Sequence, residues 1–199
     1  MVIQIDATIG HYIRAADPTQ YHPGDGGAVQ TGEQSGGGEL QRALVKILLT
    51  DVPAGSTINS VTLDLYLTNL GATANNRTMR AFRIKRALTY ESSWNNYDTG
   101  LAWQTAGATG ANDIEAESGN KGFTTGDTLN QYHSMTLTAS HIQDMLDGGY
   151  TNNGFLLKMD TENNDLYIFD GAAASNPPRL TIDYTPPPAG RSFARIIGA

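Results

Sequence analysis

The chain has 199 residues, a length typical of one compact domain, and it contains no cysteine. A sequence without cysteine excludes disulfide frameworks, zinc-thiolate sites and cysteine nucleophiles. The net charge is −7 and the pI is near 4.9. Because an acidic protein repels phosphate groups, we expect neither nucleic acid nor a membrane surface among its partners.

The composition favours an all-β protein. Hydrophobic residues make up 39% of the chain and charged residues 17%. Ordinary globular chains have roughly 45–50% and roughly 25%. Small polar residues and 22 glycines fill the difference, and the apolar stretches are short. Such a chain is typical of many short strands joined by turns.

Alternation of apolar and polar residues predicts strands in the first part of the chain. Residues 2–9 alternate and predict a strand with one face in the core. Residues 10–39 are polar and rich in glycine, and predict a long loop with at most one short strand. Residues 42–50 are apolar enough for a central strand, and residues 57–69 alternate cleanly.

The second half of the chain predicts one helix among further strands. A basic strand covers residues 78–88, and residues 94–126 form a long excursion that contains both tryptophans. The apolar residues Ile142, Met145 and Leu146 have helical spacing, and Gly148 and Gly149 end that helix. The remaining predicted strands are residues 134–137, 154–159, 165–169 and 179–184.

The two ends of the chain differ in character. Met1 is followed directly by a strand pattern, so we expect no secretory signal, which needs a basic segment and an apolar run. Residues 186–188 are three prolines, which are incompatible with a central strand, so we expect one domain over residues 1–185. Residues 186–199 are expected to form a tail that docks on a partner, or alternatively packs on its own domain. The predicted docking residues are Arg191, Phe193, Arg195, Ile196 and Ile197.

Five stretches in order resemble one known family. They are IDATI, RALVKILLTDVPAGSTINSVTLDLYL, TYESSWNNYDTGLAWQTAG, NNGFLLK with its preceding helix, and PPRLTIDY. Together they resemble the DNRLRE (disaggregatase-related) domain family, which is related to alginate-binding carbohydrate-binding modules. The resemblance implies an all-β fold, a jelly-roll-like antiparallel β-sandwich with one short helix, and a non-catalytic role. It covers nearly the whole chain up to Tyr184, although Ile47, Leu48 and Leu49 replace the family's phenylalanine-containing strand end.

Oxygen-bearing side chains suggest a structural calcium ion. Calcium takes oxygen ligands, and related sandwich modules often hold one. Asp6 and Asp183 are the best candidates, because both lie on the polar faces of terminal strands that we expect to be neighbours. A rival cluster lies at positions 160–165 and contains Asp160, Glu162, Asn164 and Asp165. For both sets, the alternative is that the carboxylates only shape turns.

Two groups of residues suggest binding of an acidic glycan. Trp94, Tyr97 and Trp103 lie in a polar stretch where aromatic rings could form an exposed platform for sugars. The alternative is that the tryptophans pin this stretch to the domain. The basic strand, with Arg80, Arg83 and Arg86 as its candidate ligands, could bind uronate carboxylates or pair with the protein's own acids.

Catalysis has little support in the sequence. Glu115 with Glu117, or Asp160 with Glu162, offers two carboxyl groups, but spacing in sequence does not give the separation a glycosidase needs. The four histidines lack zinc-site spacing, and no serine occupies a nucleophile elbow. We therefore expect no enzyme.

These expectations favour a non-catalytic virion structural protein. The specific prediction is a bacteriophage capsid decoration, head-fibre or tail-associated protein on the virion surface, docked through its tail to other virion proteins or to itself. The alternative is an extracellular carbohydrate-binding module for acidic polysaccharide.

Overall fold

The fold was analysed in a computed structural model that describes residues 1–21, 28–34, 39–71, 75–163 and 165–188. These residues form antiparallel strands and one short helix, so the expectation of an all-β antiparallel fold with one short helix is confirmed. The elements are β1 (Val2–Asp6), β2 (Ile9–Arg14), β3 (Ala28–Gln34), β4 (Glu39–Lys46), β5 (Thr57–Leu70), β6 (Arg77–Ile84), β7 (Asn96–Asp98), β8 (Leu101–Ala102), β9 (Ile114–Phe123), β10 (Gln131–Leu137), α1 (Ala139–Leu146), β11 (Phe155–Met159), β12 (Tyr167–Asp170) and β13 (Arg179–Thr185).

Eight strands close into a barrel-like ring. Starting from β5, each strand pairs with the next in the order β10, β9, β6, β11, β4, β3 and β12, and β12 returns to β5. The closure depends on the 14-residue length of β5. One edge of β5 pairs with β13 along its first half and with β12 at its end, where Leu70 lies opposite Tyr167. Strand β1 then extends the sheet beyond β13, and β2 pairs with β4.

Alternate side chains of the ring strands fill its interior. In β5 the buried residues Val61, Leu63, Leu65 and Leu67 follow the period of two that the sequence shows. Phe123 lies 5.5 Å from the rings of both Tyr167 and Phe169, which joins β9 to β12. We call the buried side chains inside the ring the inner core. The alternation of residues 57–69 correctly predicted the face of β5 that contributes to it.

The helix packs on the ring through the apolar stripe seen in the sequence. Ile142 and Met145 are buried in the inner core. Gln143 fixes the helix to the start of β5, since its Oε1 accepts the Ile58 N–H at 2.8 Å and its Nε2 donates to the Ser56 carbonyl at 3.0 Å. With eight residues, α1 is far too short to cross a bilayer, and no other described helix is long and apolar enough to do so.

The prediction for the N-terminal region is wrong in its count of strands. The predicted strand of residues 2–9 divides into β1 and β2 at Ala7 and Thr8. The predicted long loop of residues 10–39 contains most of β2 and all of β3. Polar composition concealed β3, although Val29 and Thr31 are fully buried and alternate with more exposed residues.

The predicted excursion of residues 94–126 also contains an unrecognised strand, the ten-residue β9. Its sequence, IEAESGNKGF, has few apolar residues because one of its faces is largely polar. Position 119 on β9 requires glycine, because a Cβ there would overlap the carbonyl oxygen of Thr136 on the neighbouring strand β10. A close strand contact of this kind leaves no pattern of hydrophobicity in the sequence.

The last strand, β13, ends at Thr185, where the sequence predicts that the domain ends. Pro186 to Pro188 are exposed. A Cβ on Gly55 would lie 3.6 Å from Pro187, so the chain leaves the ring beside the turn that precedes β5. The predicted docking residues of the tail lie outside the described residues.

Candidate functional site

The two tryptophans lie against the outside of the ring. Trp94 is 9% exposed and Trp103 is 5% exposed. They pack with Leu44 of β4 and Leu156 of β11 in a second apolar cluster, which we call the outer cluster. The other buried members of the outer cluster are Ile13, Ile84, Leu88 and Ala108. The expected exposed tryptophan platform is therefore wrong, and the alternative, that both rings pin this stretch to the domain, agrees with their burial.

Polar contacts occupy the remaining faces of these rings. The Trp103 indole N–H donates to the Ser93 carbonyl at 2.9 Å. The Arg42 guanidinium lies 4.8 Å from the centre of the Trp94 ring. Tyr97 is partly buried, 5.6 Å from Trp103, and Arg86 lies 5.4 Å above its ring. The two tryptophan rings are therefore buried and the partly buried Tyr97 is stacked with Arg86, so the three rings do not form an exposed platform.

Arg42 is a buried crosslink that the sequence analysis missed. Its guanidinium forms two hydrogen bonds with the carboxylate of Glu162, at 2.9 and 2.8 Å, and a third with the Gly107 carbonyl at 2.7 Å. The side chains of Arg42 and Glu162 are 9% and 11% exposed. Arg42 thus connects β4 both to the turn before β12, through Glu162, and to the segment that carries the tryptophans, through Gly107. An arginine at the start of an otherwise apolar strand was the available signal.

Asp113 organises the segment of residues 85–113, here named the tryptophan segment. Its carboxylate is fully buried and accepts the backbone N–H groups of Gln104 at 2.8 Å, Thr105 at 3.0 Å and Gly110 at 3.0 Å. Such a carboxylate replaces the strand pairing that this irregular segment lacks. Nothing in the local sequence marks Asp113 as different from a surface aspartate.

The basic strand pairs with the protein's own acids. Each of the five cations at positions 77–86 has a carboxylate partner: Arg77 with Asp165, Arg80 with Glu117, Arg83 with Asp144, Lys85 with Glu115 and Arg86 with Asp113. Arg83 is also stacked 4.1 Å from the centre of the Tyr150 ring. A hydrogen bond from Asn120, with the nearby Arg80, lowers the pKa of Glu117. Arg80 and Arg83 lie on β6 and Arg86 lies just beyond its end, and the three arginines do not form a free cationic surface.

The candidate calcium ligands Asp6 and Asp183 are not brought together. In the antiparallel pairing of β1 and β13, Asp6 lies opposite Arg179, whereas Asp183 lies opposite Val2. Four residues of strand separate the two positions, which is about 13 Å. The expectation that these two aspartates share a cation is wrong, because neighbouring strands do not imply neighbouring positions along them.

The rival cluster is used in internal contacts. Asp160 accepts the N–H groups of Thr78 at 3.2 Å and Thr161 at 2.8 Å, and Glu162 binds Arg42. Asp165 is fully buried, pairs with Arg77 and accepts the Glu33 N–H at 3.1 Å. Asn164 lies outside the described residues. Among the residues that are described, no three histidine or acidic side chains form a group suited to a metal ion.

The carboxylate pairs considered for catalysis are engaged as well. Glu115 lies 3.1 Å from the Lys85 ammonium, and Glu117 binds Arg80. His141 lies 3.0 Å from the Ser118 hydroxyl, and burial, with the nearby Arg83, lowers the pKa of its ring. These contacts are internal pairs on β9 and between β9 and α1.

A flat polar surface with two tyrosines lies on the outside of β5, β10 and β13. Tyr66 and Tyr132 lie opposite each other in the strand pairing, with ring centres 5.2 Å apart. The Arg179 guanidinium lies 3.8 Å from the centre of the Tyr132 ring, and Asp64 accepts the Thr181 hydroxyl at 2.6 Å. We call this surface the tyrosine face. Sequence reasoning missed it because its members come from three strands that are distant in the chain.

Comparison with known proteins identifies the family. The sequence profile of the disaggregatase related repeat domain matches residues 28–182, which include every strand from β3 to β12 and most of β13. A search of curated proteins finds none that matches. The matched span is more than three quarters of the 199 residues, and the chain belongs to the disaggregatase-related repeat domain family.

Proposed function

We propose that this chain is a non-catalytic structural protein of a virus particle, attached through its C-terminal segment (residues 189–199). The observation that carries the proposal is the contrast between the ring and the chain end. Four of the candidate catalytic and ligand-binding carboxylates, Glu115, Glu117, Glu162 and Asp165, are engaged in internal ion pairs. The C-terminal segment follows three exposed prolines and combines Phe193, Ile196 and Ile197 with two arginines.

The composition supports a protein that works outside a cell. It has a low content of charged residues, 22 glycines and no cysteine. Surface proteins of phage particles fit this composition and reach the exterior by lysis of the host. In this proposal the ring faces outward, the apolar residues of the C-terminal segment enter a neighbouring virion protein, and Arg191 and Arg195 contact acidic groups at its rim.

We infer further that the ring is flattened into the facing sheets of a jelly-roll-like sandwich. The support is the inner core, in which Phe123 of β9 contacts Phe169 of β12 across the interior. In two packed sheets, side chains from the two inner faces interdigitate in this way to form the core.

The test of the proposed function is mass spectrometry of virus particles from a lysate of the source culture, purified by density gradient. We expect this chain in the particle fraction, at a fixed ratio to the major capsid protein that a moderate-salt wash does not change. Recovery of the chain only in the soluble fraction, with capsid proteins present in the particles, contradicts the proposal.

The tyrosine face favours a second candidate function, binding of an acidic polysaccharide. Aromatic rings next to planar polar groups are suited to sugars, and Arg179, whose Nε lies 3.6 Å from the Asp64 carboxylate, has further guanidinium N–H groups that can donate to a uronate carboxylate. Here the binding residues are Tyr66, Tyr132 and Arg179 instead of the buried tryptophans.

The glycan proposal is tested with alginate in solution by calorimetry. We expect Tyr66→Ala to weaken binding at least tenfold, whereas Tyr21→Ala, a change at a tyrosine that is 50% exposed and away from this face, leaves it unchanged. No measurable binding of alginate or pectate by the unmodified protein contradicts this second function and leaves the first intact.

A further inference from the structure

An open apolar groove lies where the chain leaves the ring. It has a volume of about 440 Å³ and lies between the turn after β4 and the C-terminal end of α1. Its apolar lining includes Leu48, Leu49, Val52, Pro53, Met145 and Leu146. Leu48, which is 41% exposed, extends the apolar lining of the groove to the surface.

The path of the chain leads to this groove. Pro187 lies beside Gly55, and the residues just before Gly55, Pro53 and Ala54, form one wall of the groove. The C-terminal segment begins after Pro188 and has eleven residues. Phe193 is five residues beyond Pro188, which allows a reach of about 17 Å in an extended chain. Its ring can therefore enter the groove of its own molecule.

The chemistry of the segment matches the groove. Its apolar side chains, Phe193, Ile196 and Ile197, suit an apolar lining, and burial of such side chains is favourable by the hydrophobic effect. Asp51 and Asp147 adjoin the groove-lining residues in the chain, and neither forms an ion pair within the described part of the molecule. They offer opposite charges for Arg191 and Arg195.

We propose that the C-terminal segment of each chain occupies the apolar groove of the same chain until the protein meets its partner. An attached segment has a high effective concentration at a site within its reach, so its own groove is favoured over that of a second copy. In the free protein, the groove shields the apolar side chains of the C-terminal segment from water. When the partner binds, the segment leaves the groove and these side chains attach to the partner. This regulatory role rests on the proposed function, whereas occupancy of the groove does not.

The absence of cysteine permits a direct test in the full-length chain. Ser192→Cys introduces a single thiol for a nitroxide label, and relaxation of methyl signals reports which residues lie near it. We expect strong broadening of the methyl signals of Leu48, Met145 and Leu146, and none at Leu129, an exposed leucine outside the groove. Equal broadening at Leu129, or no broadening at the groove, overturns the proposal.

A mixed sample distinguishes the same chain from a second copy. Spin-labelled chain without isotopes is mixed with isotope-labelled chain that carries no nitroxide. We expect no broadening in this mixture, because each groove is filled by its own segment. Broadening that appears in the mixture and grows with concentration overturns the proposal and indicates exchange between copies.

A groove variant separates this inference from the proposed function. We expect Leu48→Asn to abolish the broadening by the labelled segment, since it makes the groove polar at an exposed position. The same variant is expected to keep its association with particles, because the C-terminal segment is unchanged. Loss of broadening together with retained association supports both proposals. Broadening that survives Leu48→Asn contradicts occupancy of the groove, and particle association that is absent even in the unmodified chain contradicts the function alone.

Discussion

The inner core and the outer cluster bury apolar side chains in different ways. The inner core is built from alternate residues of regular strands, and backbone pairing in the ring satisfies the polar groups around it. The outer cluster is covered by the tryptophan segment, which has only the two short strands β7 and β8 before it enters β9. Buried polar side chains, chiefly Arg42 and Asp113, take the place of strand pairing there. The position of an irregular segment that packs on an apolar surface therefore depends on a few specific polar contacts.

The largest effect is expected for the buried crosslink. Arg42→Ala removes the hydrogen-bonded partner of Glu162, which keeps only Lys158 at 3.9 Å, and it removes the contacts to Gly107 and Trp94. Loss of one partner of a buried ion pair costs about 3–5 kcal/mol, so we expect a loss of up to that order in the free energy of unfolding, measured in urea. The matched control is Arg80→Ala, which removes the same charge from a pair whose arginine side chain is 40% exposed, and we expect it to cost much less because water screens the pair. Equal losses for the two variants contradict the special role of Arg42.

Substitution of two neighbouring leucines of β11 allows a direct comparison of the stability of the outer cluster and the inner core. Leu156 belongs to the outer cluster and Leu157 to the inner core, and both are fully buried. We expect each change to alanine to cost about 2–5 kcal/mol. Hydrogen exchange should distinguish them, with Leu156→Ala accelerating exchange mainly in the tryptophan segment and Leu157→Ala accelerating it throughout the ring. The same exchange pattern in both variants would show that the two clusters open as one unit.

A smaller effect is expected at Asp113. Asp113→Asn keeps the shape of the side chain but replaces one acceptor oxygen with a donor that faces backbone N–H groups. We expect a loss of about 1–3 kcal/mol in unfolding free energy. Asp127→Asn is the control, since Asp127 is only partly buried and accepts bonds from the N–H and the hydroxyl of one residue, Thr124. If Asp113→Asn is no more costly than this control, the carboxylate does not organise the segment.

The smallest effect concerns pH. Burial and Arg83 lower the pKa of His141 in the folded protein, so the unfolded chain binds more protons between the folded pKa and about 6.5. The contribution of His141 is therefore full above about pH 6.5 and is lost as the pH falls through its folded pKa. We expect His141→Gln to flatten this part of the stability curve, measured as thermal midpoints at several pH values. An unchanged slope contradicts the role of His141.

Sequence periodicity explains why one part of the fold was predictable. The alternating leucines of β5 and the helical spacing of Ile142 and Met145 indicate buried faces directly, and both are buried in the structure. Strands β3 and β9 were not predicted, because their buried faces include small or polar residues such as Thr31 and Ser118 and so lack an alternating hydrophobic pattern. Their place in the ring depends on neighbours that are distant in the chain.

The candidate sites were less predictable because they depend on register and burial. Asp6 and Asp183 lie on paired strands, but only the register shows that they face different partners. The basic strand was recognised, whereas its acidic partners come from other elements, as Glu117 from β9 and Asp144 from α1 show. The tyrosine face and the apolar groove are likewise assembled from separate segments.

The most direct test of the central claim, that the ring is a scaffold and the C-terminal segment attaches it, is co-sedimentation of purified protein with particles that lack it. The full-length chain is compared with a full-length variant in which Phe193, Ile196 and Ile197 are replaced by serine. We expect the unmodified chain to sediment with the particles and the variant to remain in the supernatant while it still unfolds in one cooperative transition, because the strands of the ring are unchanged. Equal sedimentation of the two proteins would contradict the account and assign attachment to the ring itself.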